Sequence, residues 1–197
     1  MKLYMAAVIA IICSAAMPIA AGGASPAAKK ATAKSAPFEI SPITLAATGL
    51  IIPGSIGQGP RTLPFGTARA KAIAMVSGEL GAPTKTGVYP DCGQGHAIGY
   101  AKFRSGIELT FVGGKFVGWT LEPGGDKRSM TANGVGIGAT VATVQKLFPD
   151  VFIDPGNEEG GLGPGFTSDT WPNGWLDGAR STSKVTSLYA GETCIVG

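Results

Sequence analysis

Chemistry in this chain would have to come from a few short stretches. In Asp91-Cys92-Gly93-Gln94-Gly95-His96 a carboxylate, a thiol and an imidazole fall close together, the raw material of a thiolate nucleophile with its base. His96 is the only histidine, and a glycine-rich loop gives no assurance that thiol and ring meet. It therefore reads as a solvent-exposed loop residue, neither base nor metal ligand. The run Gly134-x-Gly136-x-x-Ala139 with Asp154 downstream mimics a dinucleotide fingerprint, in which glycines let backbone approach a pyrophosphate at a helix N-terminus. That motif needs an apolar strand just ahead, whereas Lys127 to Asn133 is polar, so a glycine-rich turn feeding a short helix is expected instead. Asp150, Asp154, Glu158 and Glu159 form an acidic stretch, but their spacing matches no calcium loop and reads as solvated surface. No catalytic residue, cofactor or metal site is assigned.

Trp171-Pro172-Asn173-Gly174-Trp175 is different in kind. Two indoles beside turn residues suit an exposed stacking or docking surface, because tryptophans dominate interface hot spots. The favoured reading is nevertheless that one or both plug the core beneath a tight turn, as large aromatics usually do.

The elements that must position these residues follow from periodicity. Thr67 to Leu80 is predicted helical: Ile73, Val76 and Leu80 recur at helical spacing, Gly81 suits the C-cap and Pro83 blocks continuation. A second helix is expected over Val141 to Phe148, capped by Thr140 and ended by Pro149. Gly113-Gly114 should turn a hairpin between Ile107 to Val112 and Phe116 to Leu121. Ile107, Leu109 and Phe111 then share one face, and Glu108 and Thr110 the other. Further strands are expected over Ala97 to Phe103 and Lys184 to Ala190, with Gly174 to Arg180 as hairpin partner of the latter.

Residues 1–24 read as a secretory signal peptide. Lys2 precedes the apolar run Leu3 to Met17, Pro18 breaks it, and Ala20 to Ala24 offers the small residues a signal peptidase needs. The rivals are an uncleaved anchor, since a spanning helix needs about 20 apolar residues, and a lipid on Cys13, disfavoured by bulky Ile11 and Ile12. A membrane association is expected only if this segment is uncleaved. Residues 25–37, rich in Ala, Lys, Ser and Pro, read as a disordered linker.

The formal charge of +3 is misleading. Four of the 16 basic residues, Lys2, Lys29, Lys30 and Lys34, precede Phe38, leaving 12 basic against 13 acidic residues beyond it. The electrostatic footprint of a nucleic-acid binder is missing. The remaining stretch, 38–197, is long enough for one domain with a real core. In an exported chain Cys92 and Cys194 pair most simply as a disulfide, with two separate buried thiols as the alternative.

Asp91-Cys92-Gly93-Gln94-Gly95, the Leu109-Thr110-Phe111 to Val117-Gly118-Trp119 hairpin, Gly134 to Gly138 and the Val185 to Cys194 ending resemble small exported proteins of alphaproteobacteria. The resemblance covers most of 62–197 and implies export without supplying an activity. More distantly, the plan of helix plus hairpin, taken twice, resembles the repeat of the secreted beta-lactamase inhibitor protein and of outer-membrane assembly lipoproteins. That likeness is at fold level and carries no functional residue.

The expected fold is α+β: an antiparallel sheet with helices packed on one face, read as two degenerate copies over 62–125 and 134–197. Each copy opens with a glycine-led helix, Phe65-Gly66-Thr67 and Ile137-Gly138-Ala139-Thr140, and each carries one cysteine at a non-equivalent place. The expected role is a periplasmic or secreted, non-enzymatic module that binds another envelope or secreted protein. The alternatives are a small periplasmic enzyme with a dispersed carboxylate site, or a glycan binder using Trp171 and Trp175.

Overall fold

The computed structural model describes residues 43–54, 57–156 and 163–194, all within the unit Phe38–Gly197. The signal segment and linker of the sequence reading lie outside them. In chain order the elements are β1 (Thr44–Ala46), β2 (Gly49–Ile52), β3 (Arg61–Pro64), α1 (Arg69–Leu80), β4 (Lys85–Tyr89), β5 (Ile98–Lys102), β6 (Ile107–Val112), β7 (Lys115–Leu121), β8 (Met130–Thr131), α2 (Val141–Leu147), β9 (Phe152–Asp154), β10 (Gly165–Thr167), β11 (Asn173–Leu176) and β12 (Val185–Gly191).

The local signals act as the sequence dictates. Gly113 and Gly114 both take positive φ, 56° and 73°, the backbone that a two-residue turn between right-twisted strands requires. Leu109 thereby faces Trp119 across β6 and β7. Thr140 caps α2 by accepting from the Thr143 amide at 3.2 Å, and the Gly81 amide closes α1 onto the Ser77 carbonyl at 3.0 Å.

Eight strands form one sheet of order β4-β5-β6-β7-β12-β11-β10-β9, antiparallel throughout. Each helix is followed by a four-stranded meander, and the two meanders meet at their last strands. At that seam Thr120 lies opposite Tyr189, and Trp119 opposite Ala190.

The approaches to the two helices are wired alike. Before α1, the Gly66 amide donates to the Phe116 carbonyl at 2.7 Å, the Phe116 amide to Thr67 at 2.8 Å, and the Arg69 amide to Gly114 at 2.9 Å. Before α2, Gly138 donates to Val185, Val185 to Ala139 and Val141 to Ser183, each at 2.8 Å. These bonds hold Thr67 and Ala68 against β7 in sheet-like pairing, which is why α1 begins at Arg69 and not at Thr67.

A second, four-stranded sheet of order β3-β2-β1-β8 was not foreseen from periodicity, and its β1–β8 pair is parallel. Ile43, Leu45, Leu50, Ile52 and Leu63 from this region share one buried cluster with Leu109, Trp119, Leu121 and Leu188 of the large sheet. Ala72 and Val76 of α1, and Val141, Val144 and Phe148 around α2, complete it. The Trp119 indole N–H donates to the Ala46 carbonyl at 2.9 Å, tying the sheets together.

Candidate functional site

Strand alternation sorts the large sheet into two faces. Ala101, Leu109, Trp119, Leu121, Leu188 and Phe166 fall on the face that enters the core. The registers place Tyr89, Tyr100, Lys102, Glu108, Thr120, Ser187, Tyr189 and Trp175 together on the other. A pocket of about 320 Å³ opens on this second face, straddling the β7–β12 seam, with Lys102, Glu108, Glu122, Trp175 and Tyr189 in its lining.

Lys102 and Glu108 are direct cross-strand partners, and Lys102 Nζ lies 3.1 Å from Glu108 Oε2. The same oxygen accepts the Tyr89 hydroxyl at 2.9 Å. Lys102 also donates to Glu122 Oε1, so one ammonium bridges two carboxylates. Glu108 is only 4% exposed, a burial that is tolerable because it is paired.

These contacts set the protonation of the donors. Burial, and then the hydrogen bond and charge of Glu108, push the Tyr89 phenol up to about 12. Burial by itself would lower the Lys102 pKa. The hydrogen bonds and charges of Glu122 and Glu108 override that and hold it above the ordinary lysine value.

Two aromatic pairs flank the cluster. Tyr89 stacks on Tyr100 with centroids 4.4 Å apart, and Trp175 lies 6.1 Å from Tyr189 at 30°.

The C-terminal segment crosses this face beside the pocket. The Glu192 carbonyl accepts the Thr110 hydroxyl at 2.6 Å, and the Glu192 amide donates to Val117 at 2.9 Å. The crossing demands Gly118, since a Cβ there would sit 2.3 Å from the Glu192 carbonyl oxygen. Cys92 and Cys194 are joined by a disulfide, with Cα atoms 5.2 Å apart, and His96 pairs with Glu192. Together they fasten the loop after β4 to the end of the chain, and Cys194 forms part of the pocket wall.

The structure places the other sequence candidates as follows. Cys92 and His96 both reach the C-terminal segment, where the thiol is consumed in the disulfide and the imidazole meets Glu192. The Gly134–Ala139 run is a turn tied to its neighbours: Thr131 and Val135 exchange hydrogen bonds, Met130 bridges Gly136, and Gly138 and Ala139 bond to Val185. Asp150 accepts the Ser168 and Thr170 hydroxyls at 2.8 and 2.9 Å, and those bonds, Ser168's foremost, hold its pKa below the usual value. Asp154 accepts the Gly156 amide, and Glu158 and Glu159 lie outside the described residues. Among the described residues no group of three His, Cys, Asp or Glu side chains is placed to hold a metal.

The two tryptophans part company. Trp171 stacks flat on Phe148, at 4.9 Å and 3°, against the core, while Trp175 lines the pocket. Lys102, Glu108 and Glu122 were not singled out from sequence. The available signal was a charged residue inside the alternating β6 run. Comparisons with protein-family models, with curated proteins and with solved structures find no match to this chain.

Proposed function

We propose that the protein is an exported, non-enzymatic module that binds a partner protein through the Tyr89–Trp175 face of its large sheet. The observation that carries this reading is the Lys102–Glu108–Glu122 cluster between two aromatic pairs. Its donors keep their protons throughout the neutral range, with Tyr89 at about 12 and Lys102 raised. Protonated donors held in fixed positions by Glu108 and Glu122 can orient a ligand. Tyrosine and tryptophan, which flank the cluster here, are the residue types enriched at interface hot spots.

In this reading both helices pack on the opposite face and leave the binding face uncovered. The two halves are degenerate copies of one helix-plus-meander unit, a view supported by the matching hydrogen bonds before α1 and α2. The pocket then sits at the junction of the copies. The Cys92–Cys194 disulfide supports a periplasmic or secreted location.

The enzyme reading draws on the same pocket, which holds the carboxylates of Glu108 and Glu122. Their shared ammonium speaks for structure over catalysis. The glycan reading retains Trp175 alone.

A photo-crosslinking side chain installed at Thr186, in the pocket wall, tests the proposal against the same group at exposed Lys71 on α1. A discrete adduct with one protein from position 186, lost in Trp175→Ala and absent from position 71, is the expected result. Equal labelling from both positions, or none from 186, contradicts it.

A further inference from the structure

Resting on that binding-face reading, we infer that the pocket receives the guanidinium of an arginine projecting from the partner protein. Its charge sets the sign of the ligand. Glu108 and Glu122 carry two negative charges against the single ammonium of Lys102, and the other lining residues are uncharged. Lys102 and Tyr89 occupy Oε2 of Glu108, and Lys102 occupies Oε1 of Glu122. Among the described residues nothing claims Glu108 Oε1 or Glu122 Oε2. Glu108 is 96% withdrawn from solvent yet lines the pocket, and a carboxylate has lone pairs enough to take a further donor from a ligand there.

Shape and wall chemistry select among cations. At about 320 Å³ the pocket is at the low end of the roughly 300–1,000 Å³ range of ligand sites, room for one side chain and not for a run of sugars. Trp175 and Tyr189 form an aromatic wall beside the carboxylates. A planar guanidinium can stack on such rings while its fork donates to two acceptors; an ammonium does the first less well and cannot do the second in plane. The same face already seats one cation on a ring, with Lys85 Nζ 5.9 Å from the Tyr100 centroid.

N-acetyl-arginine methylamide is the probe, with the lysine and norleucine counterparts and a cell-wall disaccharide as comparators. Binding is followed by the NMR shift of the Trp175 indole N–H, assigned through Trp175→Phe. The expected result is saturable binding of the arginine probe, weaker binding of lysine and no response to norleucine or the sugar. Glu122→Gln, at a side chain 38% exposed and so compatible with folding, should weaken the arginine probe roughly tenfold. Equal response to norleucine, lysine binding as tight as arginine, or an unchanged affinity in Glu122→Gln overturns the inference. Should the Thr186 crosslink persist while the arginine probe is silent, the inference falls and the binding-face reading stands. Loss of the crosslink removes both.

Discussion

Glu108 joins three strands through a single carboxylate oxygen: its Oε2 holds Lys102 from β5 at 3.1 Å and Tyr89 from β4 at 2.9 Å. Removing a buried acceptor strands its donors, which costs more than the bonds themselves contributed. Glu108→Ala should therefore lower unfolding free energy by about 2–4 kcal/mol. In a double-mutant cycle with Lys102→Met, the coupling should reach about 1–3 kcal/mol. Urea unfolding of the four proteins measures both, and a coupling below about 0.5 kcal/mol would mean that the pair is no anchor.

The alkaline limb of stability should carry the signature of the same cluster. An unfolded tyrosine loses its proton near 10 and the folded Tyr89 near 12, so the folded state holds the proton longer. Stability conferred by Tyr89 is then complete below about 10 and is lost as pH rises from about 10 to about 12. Lys102, also raised, acts in the same direction. Phenolate absorbance should show a late-titrating tyrosine that Tyr89→Phe removes, and thermal midpoints of that variant should fall less steeply across the window.

At the acid end Asp150 works the opposite way. Hydrogen bonds from Ser168, then from Thr170, depress its pKa below 3.8. Its contribution is present above that value and lost as pH falls through the lower folded one. Asp150→Asn should flatten the acid decline of the thermal midpoint, whereas an unchanged slope would show that the Ser168–Thr170 turn is indifferent to the carboxylate.

Two glycines with opposite surroundings should respond oppositely to alanine. Gly118→Ala places Cβ 2.3 Å from the Glu192 carbonyl oxygen and should cost about 1–3 kcal/mol. Gly78, inside α1, has nothing within 4 Å of the same position. There alanine should stabilise by roughly 0.5–1 kcal/mol through helix propensity. Denaturant midpoints compare them directly.

The disulfide spans a sequence separation of 102 residues, for which chain-entropy models give about 4–5 kcal/mol. Cys92→Ser with Cys194→Ser, or reduction, should lower stability by that order and weaken the His96–Glu192 pairing beside it. A loss below about 1 kcal/mol would mean that His96, Thr110 and Gly118 already fix the C-terminal segment.

What could be read from sequence was governed by local physics. The Thr140 cap, Gly81, and the Gly113-Gly114 hairpin each depend on residues within a few positions, and each formed. The strands Thr44–Ala46 and Met130–Thr131 carry too few residues for a period, and their parallel pairing joins distant parts of the chain. The pocket was hidden for the same reason, since Lys102, Glu108 and Glu122 become neighbours only through the β5–β6–β7 register. Trp171 and Trp175 are near in sequence but serve different ends. Strand alternation from Asn173 turns Trp175 to the pocket, while Trp171, ahead of the strand, settles on Phe148.

The most direct test is the affinity of the Thr186-crosslinked partner, once purified, for alanine variants on both sides of the molecule. Trp175→Ala and Tyr189→Ala should each cost at least about 2 kcal/mol of binding, the size of an interface hot spot. Exposed Lys71→Ala on α1 and Lys146→Ala on α2 should change it by less than about 0.5 kcal/mol. Equal losses at the helices, or none at Trp175 and Tyr189, would contradict the assignment of this face as the binding surface.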